Sequence, residues 1–367
     1  MQRRTFTKIL GAGAALSAQP SKAMSEPIEV GVITHAGGAH LGAYFSALAD
    51  TPEVNRVVLS DEGGENATAA RSALGAKLAA TYSTPQEMFS QEKPVMALVS
   101  MEALLAPPAI EAALEAGCHV MAEKPSCVRA EDFEKLVEKA NGAGRHLMLA
   151  LANRLNPEVR EARRLIQEGK IGKIYGVELH LIADQTRLTR PEYHGRWYAQ
   201  KARAGGGHLI WLGIHWLDLA MFLTGLRITD VAGFAGNVGG QPIDVEDSAA
   251  VALRFENGVF GTITSGYYLD KGYHSHIKIW GSDGWLQIEK HGGLPLQWYS
   301  QGEEQPQVQR VESFDGPSGY TPFVKACVRA SAGLDRAPLS SDDSLRVLKT
   351  VFASYRAAET GRRQTIA

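Results

Sequence analysis

The feature that most restricts this chain is a regular alternation, from Ile28 onward, of short apolar runs with stretches of helical period. Ile28 to Ile33, Val57 to Leu59, Val95 to Val99, His119 to Met121 and Leu147 to Leu151 read as strands. Glu65 to about Leu78, Pro107 to Ala116 and Ala130 to Ala140 read as helices; Phe133, Leu136 and Val137 share one face of the last. Continuous apolar strands need cover on both faces, and intervening helices supply it. Right-handed crossovers then predict an α/β fold with a doubly wound parallel sheet over residues 27–152. Ligands of such sheets lie beyond the carboxyl ends of the strands. That edge collects the turn from Thr34 to Gly38, Asp61, and Glu123 with Lys124.

Residues 153–367 change pattern. After an amphipathic helix from Pro157 to Glu168, Ile174 to Ala183 alternates, with Tyr175, Val177, Leu179 and Leu181 on one side. Asn257-Gly258 and Gly281 to Gly284 each separate two strand-like runs, the sign of hairpins. An open, mainly antiparallel sheet with a few helices is expected. The last helix starts near Ser341 or Asp342, runs to Glu359, stops before Gly361, and is expected to pack back on the first domain.

The first 23 residues stand apart. Arg3-Arg4, Phe6 and Lys8 precede a mildly apolar stretch to Ala18 and the small residues around Ala23, as in a twin-arginine export signal. The stretch is short of the ~20 apolar residues of a membrane span, and no later segment reads as long enough. Removing the leader's four basic residues from the 38 Lys and Arg leaves 34 against 40 Asp and Glu. An acidic protein of this kind is a poor partner for nucleic acid. Cys118, Cys127 and Cys327 lack metal or disulfide spacing and read as small buried residues. Export to the periplasm predicts a tightly held cofactor, because that compartment supplies no nucleotide.

Three motifs carry a resemblance. Ala122-Glu123-Lys124-Pro125 follows a strand, Ile171-Gly172-Lys173-Ile174 follows a helix, and Gly205-Gly206-Gly207-His208 leads through Trp211 and His215 to Asp218. Together they resemble the Gfo/Idh/MocA oxidoreductase superfamily over essentially all of the chain after residue 23. The resemblance implies a Rossmann domain followed by an α/β domain. It also implies NAD or NADP as cofactor, a sugar or sugar-derived substrate, and a homo-oligomer. On it, Lys124 meets nicotinamide and substrate, and His215 takes the proton of a substrate hydroxyl. Thr34, Ala36, Gly37, Gly38, Asp61, Ser100, Glu123 and Lys124 fall at the cofactor edge. Asp61, at a strand end, favours NAD, since a 2′-phosphate would meet a like charge.

The chain departs from the family pattern at three points. Trp211 stands where an Asp is usual, and an indole has one donor and no acceptor. It is therefore expected neither to hold a charged lysine nor to orient His215 as a carboxylate does. Asp218 shares a helix face with His215 and is the expected orienting group. Thr34 and Ala36 replace the first two glycines of the dinucleotide turn, and Ser100-Met101 replaces the usual Thr-Pro. Between the halves, Arg187, Arg190, Tyr193, His194, Arg196, Trp197 and Tyr198 form a basic, aromatic stretch. Arg190, Tyr193, His194, Trp197 and Trp211 are the candidate substrate wall, suited to an anionic carbohydrate. No metal site is expected: His208 and His215 are seven residues apart, ~10.5 Å along a helix. Two other readings stay open: a redox-neutral, NAD-assisted glycosidase or lyase, and a carbohydrate-binding protein without bound cofactor.

Overall fold

The computed structural model describes residues 26–185, 188–269, 271–291 and 293–366. The expected leader, residues 1–23, and Arg187 lie outside them. Six strands build the first sheet: β1 (Ile28–His35), β2 (Val54–Glu62), β3 (Leu78–Tyr82), β4 (Met96–Ser100), β5 (His119–Ala122) and β6 (Leu147–Leu149). Their order is β3-β2-β1-β4-β5-β6 and every pairing is parallel. The chain changes direction of travel between β1 and β4, which opens a crevice at their carboxyl ends. Register places Thr34 beside Asp61 on one side and Ser100 on the other. Helices α1 (Leu41–Asp50), α2 (Ala67–Leu74), α3 (Pro85–Gln91), α4 (Ala106–Glu115) and α5 (Ala130–Gly142) connect the strands. Periodicity passed over β3 because its Leu-Ala-Ala-Thr-Tyr lies at the sheet edge, alternately half-buried and exposed, with no continuous apolar run.

The second half contains α6 (Pro157–Gln167), β7 (Ile174–Asp184), α7 (Pro191–His194), α8 (Lys201–Ala204), α9 (Ile214–Thr224), β8 (Ile228–Gly236) and β9 (Ser248–Phe255). It continues with β10 (Phe260–Leu269), β11 (Tyr273–Gly281), β12 (Gly284–His291), β13 (Leu296–Ser300), β14 (Gln309–Val311), α10 (Tyr320–Ser331), α11 (Ser341–Thr360) and β15 (Gln364–Thr365). The strands form a sheet ordered β14-β13-β12-β11-β7-β10-β9-β8-β15, in which β7 and β10 run parallel and the other pairs antiparallel. The two anticipated hairpins are β9–β10 and β11–β12.

Helix α11 ties the halves together. Ser340 caps it, accepting from the Asp343 amide at 3.0 Å, and Gly361 ends it in the left-handed region at φ 63. Its Ser341 and Ser344 hydroxyls accept the amides of Leu147 and Leu149 on edge strand β6 at 3.1 and 3.2 Å. Polar groups that an open edge would leave unpaired are so satisfied from the far end of the chain.

Two expectations are modified. Lys201–Thr224 is, contrary to the sequence reading, long and apolar enough to cross a membrane, but 78% of its most apolar window is buried inside the protein. The three cysteines are buried free thiols, and burial pushes Cys118 up to about 12, so the reactive thiolate is disfavoured.

Candidate active site

Lys124 emerges from the end of β5 with its side chain 1% exposed. Its Nζ donates to the Trp211 carbonyl at 2.8 Å and lies 3.7 Å from the centre of the Trp211 ring. Trp211 therefore does hold the lysine, correcting the expectation from its indole N–H. The backbone oxygen and the electron-rich ring face replace a carboxylate. The local backbone makes this available: Leu209–Gly213 is a π-turn ahead of α9, a widening that interrupts the regular helical ladder and recurs at functional sites.

The turn is held from a distance. The buried Glu246 carboxylate accepts the amides of Gly207 and Leu209 at 2.5 and 2.8 Å and the Tyr355 hydroxyl at 2.8 Å. A Cβ on Gly207 would sit 1.9 Å from the Glu246 carbonyl, so only glycine permits this approach. No local signal in the sequence marks Glu246 or Tyr355, because their partners are remote in the chain.

His215 stands on α9 facing the same space. Burial, then the charges of Lys124 and Lys290, hold its imidazole well below the usual histidine range, so it is neutral near pH 7. Its Nδ1 is buried without a hydrogen-bond partner among the described residues. Asp218 does not orient it. Both Asp218 oxygens accept from Arg154 Nε at 2.9 Å, and Oδ1 also accepts Nη2 at 2.7 Å. The Arg154 guanidinium also lies 3.5 Å from Asp343 on α11. The fork between a planar guanidinium and a carboxylate wins over a side-by-side contact with an imidazole, so Asp218 is a structural residue.

Lys124, Trp211 and His215 line one cavity of about 310 Å³. The sequence did not point to its other polar walls: His40, Asn153, Tyr273, Lys290, His291 and Tyr320. They arrive from the start of α1, from the segment between β6 and α6, from β11 and β12 and from the start of α10, so only the fold assembles them. Among the described residues, no acidic one lines the cavity. Lys290 has one partner among the described residues, Asn153 Oδ1 at 2.6 Å. A second cavity of about 630 Å³ is lined by Arg190, Tyr193, Arg196 and Tyr198, with Asp184 and Glu192, and shares Trp211 with the first.

Of the proposed substrate wall, Arg190, Tyr193 and Trp211 thus face open space together. His194 and Trp197 are corrected. A ring nitrogen of His194, Nε2, is 2.5 Å from the Leu188 carbonyl, tying α7 to the loop that precedes it. Trp197 is buried, donates from Nε1 to the Gly37 carbonyl at 3.2 Å, and meets the Trp211 ring edge-on at 5.4 Å.

The turn after β1 is compact. Thr34 and Ser100 point inward: the Thr34 hydroxyl donates to the Ser100 carbonyl and the Ser100 hydroxyl to the Ala39 carbonyl, each at 2.8 Å. A Cβ on Gly38 would lie 2.2 Å from Thr34 Oγ1, and Ala36 is exposed at the rim. His35 Nδ1 faces the Gly37 amide and Nε2 the Glu102 amide, both at 2.9 Å. Asp61 accepts the Asn66 amide at 2.7 Å and the Asn66 side chain at 2.9 Å.

Residues 28–151 match an oxidoreductase family model with an NAD-binding Rossmann fold, and residues 159–287 match the GFO/IDH/MocA C-terminal domain. The chain belongs to the Gfo/Idh/MocA oxidoreductase family. It is 26% identical over 271 residues to the D-glucoside 3-dehydrogenase of Escherichia coli K12, covering 68% of this chain and 73% of that one. A crystal structure of an oxidoreductase domain protein from Kribbella flavida superposes with TM-score 0.82 at 25% identity, covering 94% of this chain and all of the other. Levoglucosan dehydrogenase in complex with NADH and L-sorbose shares the fold, with TM-score 0.82 at 21% identity over 93% of this chain and 99% of that one.

The residues of this Gfo/Idh/MocA chain fit the dinucleotide of its family. A neutral imidazole has one lone pair, and burial lowers the pKa of His35. His35 therefore braces the turn through whichever of the Gly37 and Glu102 amides its single lone pair accepts. Gly37 and Gly38 let the turn pack closely on His35, Trp197 and Thr34, where a Cβ would not fit. Asp61 retains lone pairs beyond the two that Asn66 engages. Thr34 and Ser100 support the turn from beneath; Lys124 would stand at the nicotinamide end.

Proposed function

We propose that this chain is an exported NAD(P)-dependent oxidoreductase that acts on a sugar or sugar-derived alcohol bearing an anionic group. The observation that carries the reading is the buried Lys124 ammonium, fixed by Trp211 at the crevice of the first sheet and sharing a cavity with a neutral His215. Bound there, a nicotinamide supplies the hydride donor or acceptor. His215 accepts the proton of the substrate hydroxyl, and Lys124 steadies the negative charge that develops on its oxygen. Asp61 supports NAD over NADP. The kinship with D-glucoside 3-dehydrogenase supports a sugar. Arg3-Arg4 and the small residues before Ala23 support export. Tyr175, Phe234 and Phe260, 62, 81 and 63% exposed on the second sheet, support self-association.

Native mass spectrometry of protein purified from the periplasm tests this. A mass excess that leaves on denaturation and matches NAD or NADP is expected. Protein without it that also ignores added NADH and NADPH overturns the reading.

The anionic part rests on Lys290, Arg190 and Arg196 and has its own test. Arg190→Ala with Arg196→Ala is expected to weaken D-glucuronate binding about tenfold or more, the scale of a charged hydrogen bond, and to leave D-glucose binding little changed. Equal effects on both sugars, read by tryptophan fluorescence, would remove the anionic requirement.

A further inference from the structure

His40 begins α1 in the left-handed region, φ 57 and ψ 13, a conformation uncommon outside glycine and found where surrounding structure enforces it. The enforcing contacts are visible. Its Nδ1 lies 3.1 Å from Glu123 Oε2. The buried Tyr44 hydroxyl donates to the same oxygen. Its ring packs on Tyr320 at 4.5 Å, and Nε2 lies 3.5 Å from the Tyr320 hydroxyl. Glu123 Oε1 faces Lys124 Nζ at 3.9 Å, so one carboxylate spans the histidine and the lysine. His40 lines the cavity that holds Lys124 and His215 and is 36% exposed on its side chain.

The arrangement inverts the expectation for this site. The imidazole backed by a carboxylate is His40, whereas His215 has none. A carboxylate at Nδ1 fixes the tautomer and leaves the lone pair on Nε2. An alcohol dehydrogenation needs one base for one hydroxyl. A second, carboxylate-backed base in the same cavity suits a proton on carbon.

We propose that His40, oriented by Glu123, is a second acid–base residue that moves a proton on and off the carbon next to the carbonyl of a keto sugar. This deepens the sugar oxidoreductase reading and rests on it for the substrate class. In the step, the C–H bond α to the carbonyl breaks and its proton passes to His40 Nε2. The electron pair moves onto the carbonyl oxygen, where the Lys124 ammonium steadies the enolate. Return of a proton from the partly exposed His40 restores the ketone, with no net redox change.

The test is solvent exchange with methyl 3-dehydro-β-D-glucopyranoside in D2O, followed by proton NMR at C2. The wild-type protein is expected to speed deuteration at least tenfold over buffer, and His40→Asn to remove at least nine tenths of that gain. Asn tolerates the left-handed backbone; His40→Gly fits it as well and is the second variant, with thermal midpoints checking that both fold. No acceleration by the wild type, or full exchange in both variants, overturns the proposal. Reduction of the same ketone by added NADH is measured alongside. Reduction without exchange overturns the second base alone. Exchange without reduction supports it and overturns the oxidoreductase reading.

Discussion

Replacing Lys124 by Met lowers the rate of sugar oxidation about 100- to 1,000-fold, the scale of losing one preorganised donor to a developing oxyanion. The expected loss falls on kcat more than on KM, because the interaction strengthens as negative charge builds on the reacting oxygen. Met keeps the length of the side chain against the Trp211 ring, which Lys124 Nζ approaches to 3.7 Å. Packing is therefore largely retained and the charge removed. Steady-state kinetics with NAD and the sugar identified by screening would measure it. A change in KM with kcat intact would show that Lys124 binds the ground state only, and the role assigned to its ammonium would fall. Removing this cation also removes one cause of the lowered His215 pKa. The pH at which His215 becomes protonated rises in Lys124→Met, although burial, the larger cause, persists.

Replacing Arg154 by Leu destabilises the protein by about 3–5 kcal/mol, the cost of stranding a buried charge. Asp218 is 1% exposed, and Arg154 satisfies both of its oxygens. Burial already raises the Asp218 pKa from 3.8, and the guanidinium opposes that rise. Without Arg154 the folded-state pKa climbs further above its unfolded value. A carboxyl with a raised folded pKa favours the native state when protonated, and that benefit is lost as pH rises through the folded pKa. The deficit of Arg154→Leu should accordingly shrink between pH 8 and pH 5. Adding Asp218→Leu should recover most of the loss, because a paired apolar replacement leaves no stranded charge. Urea denaturation at both pH values measures this. An unchanged midpoint in the single variant would mean that water or another cation reaches Asp218.

The pair also explains why the sequence misread Asp218. On α9 it is three residues from His215, and helical spacing alone favours their meeting. Arg154, which takes it instead, precedes it by 64 residues and comes from the segment after β6. The Trp211 substitution was misread for a related reason. Side-chain chemistry is written in the residue name, but a carbonyl oxygen released by a π-turn is not. The contacts of His35 and His40 belong to the same class: two histidines in a polar turn carry no periodic signal, and Glu123, named from its own motif, meets His40 from 83 positions away.

What the sequence determined by itself is the alternation of strands and helices in the first half, the parallel first sheet, the two antiparallel hairpins of the second half and the strand-end edge of the first sheet. These follow from local periodicity and turn residues, because burying an apolar face of period two or 3.6 selects the element within a few residues. Lys124 and His215 were singled out by the motifs that carry the family resemblance, one at a strand end and one on a helix face. The tertiary structure alone decided the partners: Trp211 carbonyl for Lys124, Arg154 for Asp218, Glu123 for His40, and Lys290 and Tyr320 as walls of the cavity. Charged and polar side chains choose among neighbours within a few ångströms once burial has removed water as the alternative, and those neighbours are set by how distant segments pack.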